Sequence, residues 1–119
     1  MAKSELRVKR VYEPPSPEDG FRVLVDRLWP RGVAKKEAAI GLWLKEIGPS
    51  DGLRRWFGHD PAKWAGFKKR YAAELDGRRR ELGMLRDKMA GGPVTLVYGA
   101  KDTEHNNAVA LRDYLEKRP

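Results

Sequence analysis

The chain contains no cysteine, which excludes disulfides, thiolate nucleophiles and cysteine-ligated zinc or iron–sulfur centres. It has two histidines, His59 and His105, so a three-histidine metal site within one chain is excluded as well. No apolar run approaches the roughly 20 residues that a membrane-spanning helix needs. The opening residues MAKSELRVKR also lack the apolar segment of a signal peptide, so the expectation is a cytoplasmic protein with no membrane partner. The motifs GxGxxG, GxxxxGK[ST], GxSxG and HExxH are all missing, which removes sequence support for nucleotide-fingerprint, P-loop, hydrolase-elbow and zincin chemistry. No cofactor is expected.

What is present is a short, basic chain with strand and helix signals in alternation. A length of 119 residues is one domain's worth, and the formal net charge of +8 makes anionic partners plausible. Leu6 and Val8 alternate with Arg7 and Lys9, the pattern of a first strand. The proline-rich PPSPEDG of residues 14–20 cannot continue a ladder and reads as an exposed loop. Phe21, Val23, Leu24 and Val25 form a nearly continuous apolar run, as in a strand covered on both faces. Residues 35–40 suit a short helix, and Ile40, Leu42 and Leu44 alternate as a further strand would. Ser50 is a good N-cap for a helix carrying Leu53, Trp56 and Phe57, ending near Gly58. Asp60 and Pro61 are a cap and first-turn proline for a helix that places Trp64, Phe67 and Tyr71 on one side, read as core. Another helix is expected over residues 78–89 and is ended by Gly91, Gly92 and Pro93. Val94 to Tyr98 is a buried strand, followed by a helix that bears Ala108, Leu111 and Leu115 and begins near Asp102. The expected fold is α/β: one compact domain with a small, mostly parallel sheet of three or four strands flanked by helices.

Two strand ends carry dense polar clusters, and in open α/β sheets the ligand crevice lies outside the carboxyl ends of the strands. After the second strand come Asp26, Arg27, Trp29 and Arg31, on a loop constrained by Pro30 and Gly32. An ion pair of Asp26 with Arg27 or Arg31 that pins the loop is an equally good reading of these residues. After the last strand come Lys101, Asp102, Glu104, His105, Asn106 and Asn107. Asp102 and Glu104 suit capping roles, whereas two asparagines in succession point to side chains wanted for hydrogen bonding. His59 reads either as a capping residue or as a site histidine.

Taken together, DRLWPRG, LWLKEIGPS, WFGHDP and AKDTEHNNA, drawn from segments that span nearly the whole chain, closely resemble the YeaO-like branch of the bacterial family called domain of unknown function 488. The resemblance implies a small cytoplasmic α/β protein without an established activity. Other branches of that family place cysteines near the last strand and the following helix. Tyr98, Gly99 and His105 to Asn107 stand here instead, so a thiol mechanism does not carry over.

Two functional classes follow. The first is an enzyme acting on a phosphorylated or nucleotide-like small molecule. In it Asp26, His59 and His105 are the catalytic residues, and Arg27, Trp29, Arg31, Lys101, Asn106 and Asn107 bind the anionic substrate. The second is a nucleic-acid-binding module that uses the net charge, the cluster Arg78, Arg79 and Arg80, and stacking on Trp29, Trp43 or Trp56. The arginine cluster is equally read as a solvated helix face. A divalent-ion site built from His59, His105, Asp26 and Asp102 has compatible ligands but no recognised spacing.

Overall fold

A computed structural model describes residues 6–117. Four strands, β1 (Leu6–Arg10), β2 (Phe21–Leu24), β3 (Leu42–Trp43) and β4 (Val94–Tyr98), form one sheet in the order β1-β4-β2-β3. Every neighbouring pair is parallel, with Leu6 and Phe21 both in register with Val94. The central strand β4 is buried along its whole length, as its largely apolar run requires when both faces are covered.

The two faces are covered differently. Val23, Val25, Leu96 and Tyr98 point to the larger core, shared with α2 (Asp51–Phe57), α3 (Trp64–Leu75), α4 (Arg79–Ala90) and α5 (Asn107–Lys117). Leu24 and Val97 alternate to the opposite face, where they meet Val11, Ala38 and the half-buried Trp29 and Trp43. That second face is roofed by the segment between β1 and β2 and by the segment between β2 and β3, which includes the short helix α1 (Lys35–Ala38). Burying a leucine such as Leu96 or Leu111 contributes about 1.5–3 kcal/mol, so the larger core dominates stability.

The proline-rich segment departs from its expected exposure at one residue. Asp19 ends a 3-10 turn (Pro17–Asp19) and is only 3% exposed. Its carboxylate meets Arg22 Nη1 at 2.7 Å and Lys9 Nζ at 3.2 Å, and its carbonyl accepts Thr95 Oγ1 at 2.8 Å. Arg22, 4% exposed, also donates from Nε and Nη2 to the Ala38 carbonyl. A buried charge needs such partners, and this network ties β1, β2, β4 and α1 together on the second face. Gly20 completes the turn with φ of +64°, and a Cβ there would stand 2.2 Å from the Pro93 carbonyl oxygen, so only glycine lets the chain enter β2 at this place.

The expected helices form where their caps predicted them. Ser50 Oγ accepts the Leu53 N–H to start α2, and Asp60 accepts the Ala62 N–H before α3. The helix start expected near Asp102 is corrected: α5 begins at Asn107, and Asn106 is its cap, with Oδ1 accepting the Val109 N–H at 2.9 Å. Asp102 instead closes the preceding turn, accepting the Glu104 and His105 N–H groups. Two acceptors of the same kind lie four residues apart, and the side chain nearer the apolar periodicity takes the helix.

Candidate functional site

After β2 the chain crosses to the second face, whereas after β4 it enters α5 on the first, so the connections diverge between neighbouring strands. Such a switch point opens a crevice at the carboxyl ends. A cavity of about 680 Å³ lies there, walled by the end of β2, the α2 segment, Phe67 of α3 and the approach to α5.

Its floor is organised by Asp26. The carboxylate accepts the Gly99 N–H through Oδ2 at 2.8 Å and the Asn107 amide through Oδ1 at 3.0 Å, joining the ends of β2 and β4 to the first turn of α5. Asn107 also donates to the Val25 carbonyl. A Cβ at Gly99 would lie 3.2 Å from Asp26 Oδ2, so the missing side chain permits the close approach. The alternative ion pair of Asp26 with Arg27 or Arg31 does not form: the β4 and α5 donors take the two Asp26 oxygens, and Arg27 Nε is turned to the Pro49 carbonyl. Burial raises the Asp26 carboxyl above its ordinary value, although the Asn107 and Gly99 donors favour the ionised form.

Both partners of Asp26 are donors, so an amide cannot replace the carboxylate: one NH₂ would face N–H. Asp26→Asn is therefore expected to destabilise the protein by about 1–3 kcal/mol in urea unfolding. A variant as stable as the parent would contradict this anchoring role.

The basic wall is fixed by a second set of bonds. Arg27 Nε donates to the Pro49 carbonyl at 2.7 Å, while Glu74 of α3 takes both the Ser50 N–H and its hydroxyl, at 2.8 and 2.6 Å. The buried Tyr71 hydroxyl donates to the Ile47 carbonyl at 2.6 Å, and burial pushes it far above the ordinary tyrosine value. These contacts hold the start of α2, from which Arg54 and Arg55 border the cavity. Arg54 pairs with Asp51 at 3.2 Å, and Arg55 has no ion-pair or hydrogen-bond partner among the described residues.

Both histidines also border the cavity. His105 Nδ1 stands 2.9 Å from Asp102 Oδ2, and the ring meets Trp64 edge-on at 5.3 Å. This fixes the ring and leaves Nε2 as the nitrogen available to a ligand. The Glu104 and His105 N–H groups hold the Asp102 carboxyl below its ordinary value. His59 adopts a φ of +57°, an uncommon conformation for a residue with a side chain, directly after Gly58 at +54°. Such backbone strain concentrates at functional sites.

Of the residues singled out in the sequence, Asp26, Arg27, His59, His105, Asn106 and Asn107 are brought together. Trp29, Arg31 and Lys101 are not among the lining residues. Trp29 packs edge-on against Trp43 at 5.4 Å and donates to the Val33 carbonyl, while Arg31 and Lys101 are exposed. Trp43 donates to the Asp26 carbonyl, and Trp56 lies beneath Arg70 with 4.2 Å from the guanidinium to the ring centre. Among the described residues no three His, Asp or Glu side chains are grouped as a metal ion requires, so the four-residue ion site is not assembled. Sequence reasoning missed Arg54 and Arg55, whose only signal was their place between the buried Leu53 and Phe57.

The architecture is thus a small parallel α/β fold with a basic, aromatic-walled cavity at its switch point. The chain belongs to the family described as the inactive DUF488-N3 subclade, whose model matches residues 5–119. It is similar to the uncharacterised protein YeaO of Escherichia coli K12, at 44% identity over 110 residues covering 92% of this chain and 96% of that one. It is also 38% identical over 116 residues to the uncharacterised proteins Mb3100c of Mycobacterium bovis and Rv3073c of Mycobacterium tuberculosis, covering 98% of each chain. These matches bear out the resemblance carried by the DRLWPRG, WFGHDP and AKDTEHNNA segments. No solved structure is significantly similar to the chain. Among the described residues no helix is long and apolar enough to cross a membrane.

Proposed function

We propose that the protein binds a small anionic molecule, of the phosphorylated kind, in the cavity above the carboxyl ends of β2 and β4. The observation that carries this reading is the pairing pattern of its charges. Both carboxylates of the lining are engaged, Asp26 by Gly99 and Asn107 and Asp51 by Arg54, whereas Arg55 is unpaired among the described residues. With Arg27, Arg54 and Arg55 against Asp26 and Asp51, three positive charges face two negative ones, a net of +1 before the histidines are counted. Guanidinium groups bind phosphate oxygens through forked, charge-assisted hydrogen bonds.

Binding is favoured over turnover. Among the described residues the lining contains no thiol, hydroxyl or amine side chain, which accords with a subclade described as inactive. In this reading Asp26 positions the floor, and the His105 and His59 rings border the ligand.

Thermal unfolding against a panel of phosphorylated compounds and their neutral parents tests the proposal. A ligand at a hundred times its Kd stabilises the native state by about 2.7 kcal/mol, and the anionic members should do so selectively. Equal shifts from anionic and neutral members, or none from either, would reject it.

A further inference from the structure

Resting on that reading, we propose that the anionic group is carried on an aromatic ring, which seats against a wall formed by Phe57, Phe67 and Leu28. The size of the cavity points to an organic carrier. A cavity of about 680 Å³ is far larger than an inorganic oxyanion fills, and lies in the range of sites for organic ligands, roughly 300–1,000 Å³.

The wall is aromatic in character. Phe57 and Phe67 stack with ring centres 4.4 Å apart and planes 27° apart, and Phe67 in turn stacks on Trp64 at 5.7 Å and 17°. Trp64 continues the array to the edge of His105. Phe57, Phe67 and His105 all border the cavity, so the aromatic array extends from the core to the ligand space. Phe67, only 2% exposed, therefore has a double role: it fills the core at one side and closes the cavity at the other. With the faces of Phe67 already covered by Phe57 and Trp64, a flat ring adds to such an array by edge contact, which an aliphatic chain cannot match.

Leu28 completes the apolar border. This leucine is 67% exposed, yet it borders the same cavity and follows the anchored Asp26 and Arg27. A large apolar side chain left in water beside a basic pocket gains by being covered, and a ring entering between it and Phe57 would cover it. Arg54 and Arg55 are then placed for the anionic substituent, and a guanidinium can also lie over the ring face.

Calorimetric titration of the whole chain with phenyl phosphate, glycerol 3-phosphate, inorganic phosphate and phenol tests the inference. Phenyl phosphate is expected to bind about tenfold more tightly than glycerol 3-phosphate, a difference of about 1.4 kcal/mol. Leu28→Ser, which alters an exposed side chain and leaves folding intact by circular dichroism, should reduce that preference about threefold, or roughly 0.6 kcal/mol. Equal affinity for the three phosphates, or a preference for glycerol 3-phosphate, would overturn the ring and leave the anion reading standing. Phenol binding as tightly as phenyl phosphate, or no binding by any phosphate, would overturn both. A preference unchanged by Leu28→Ser would remove the ring from this wall.

Discussion

Arg22→Ala is expected to lower the unfolding free energy by about 3–5 kcal/mol, the range for removing one partner of a buried ion pair. The arginine is 4% exposed and makes three hydrogen bonds, one to Asp19 and two to the Ala38 carbonyl. Its loss leaves Asp19 buried with Lys9 as its remaining cationic partner and opens a gap beneath α1. For a chain of this length the melting temperature should fall on the order of 10–20 °C. The exposed Arg54–Asp51 pair supplies the contrast, since breaking it should change stability by less than about 1 kcal/mol.

The pH dependence follows from the same network. Burial alone would raise the Asp19 carboxyl, but the Ser16 N–H, Lys9 and Arg22 together hold it below its ordinary value of 3.8. A carboxyl lowered by folding contributes stability that is complete above its unfolded value and disappears as pH falls through the folded one. The parent should therefore lose this contribution only below about pH 3.8, the ordinary carboxylate value. In Arg22→Ala the folded carboxyl moves up toward its unfolded value, so the acid-dependent loss should shrink. Urea unfolding across that window reads both effects, and a loss under 1 kcal/mol at neutral pH would contradict the network's role.

The double variant Arg54→Ala/Arg55→Ala is expected to weaken phenyl phosphate binding at least about a hundredfold. Each charge-assisted hydrogen bond contributes about 1.5–3 kcal/mol, so two together account for that factor or more. Folding should be nearly unaffected, because both side chains are exposed and neither supports the core. Arg31→Ala/Lys101→Ala removes the same formal charge from outside the cavity lining, and its effect should be less than about threefold, as for exposed charges screened by salt. Equal losses in the two double variants would mean that net charge rather than the cavity holds the ligand.

The contrast between these pairs shows how far the sequence reaches. Apolar runs announced β2 and β4, and caps at Ser50 and Asp60 announced α2 and α3, because those signals are local. The switch point was also legible, since both polar clusters follow buried strands, and it brings Asp26 to His105. Which cations face inward was not legible. Arg27 is turned toward Pro49 and the cavity while Arg31, four residues later, lies beyond Pro30 on the surface. Arg54 and Arg55 look like ordinary helix surface until α2 is placed over the ends of the strands. Asp19 stayed hidden because its partners Lys9 and Arg22 meet it only when the loop folds across the sheet.

The most direct test of the account is an amide chemical-shift titration with phenyl phosphate at near-physiological salt. The account predicts saturable shifts concentrated at Arg55, Gly99, His105 and Asn107, abolished in Arg54→Ala/Arg55→Ala. Shifts centred instead on Arg78 to Arg80, or an unchanged spectrum at millimolar ligand, would contradict it.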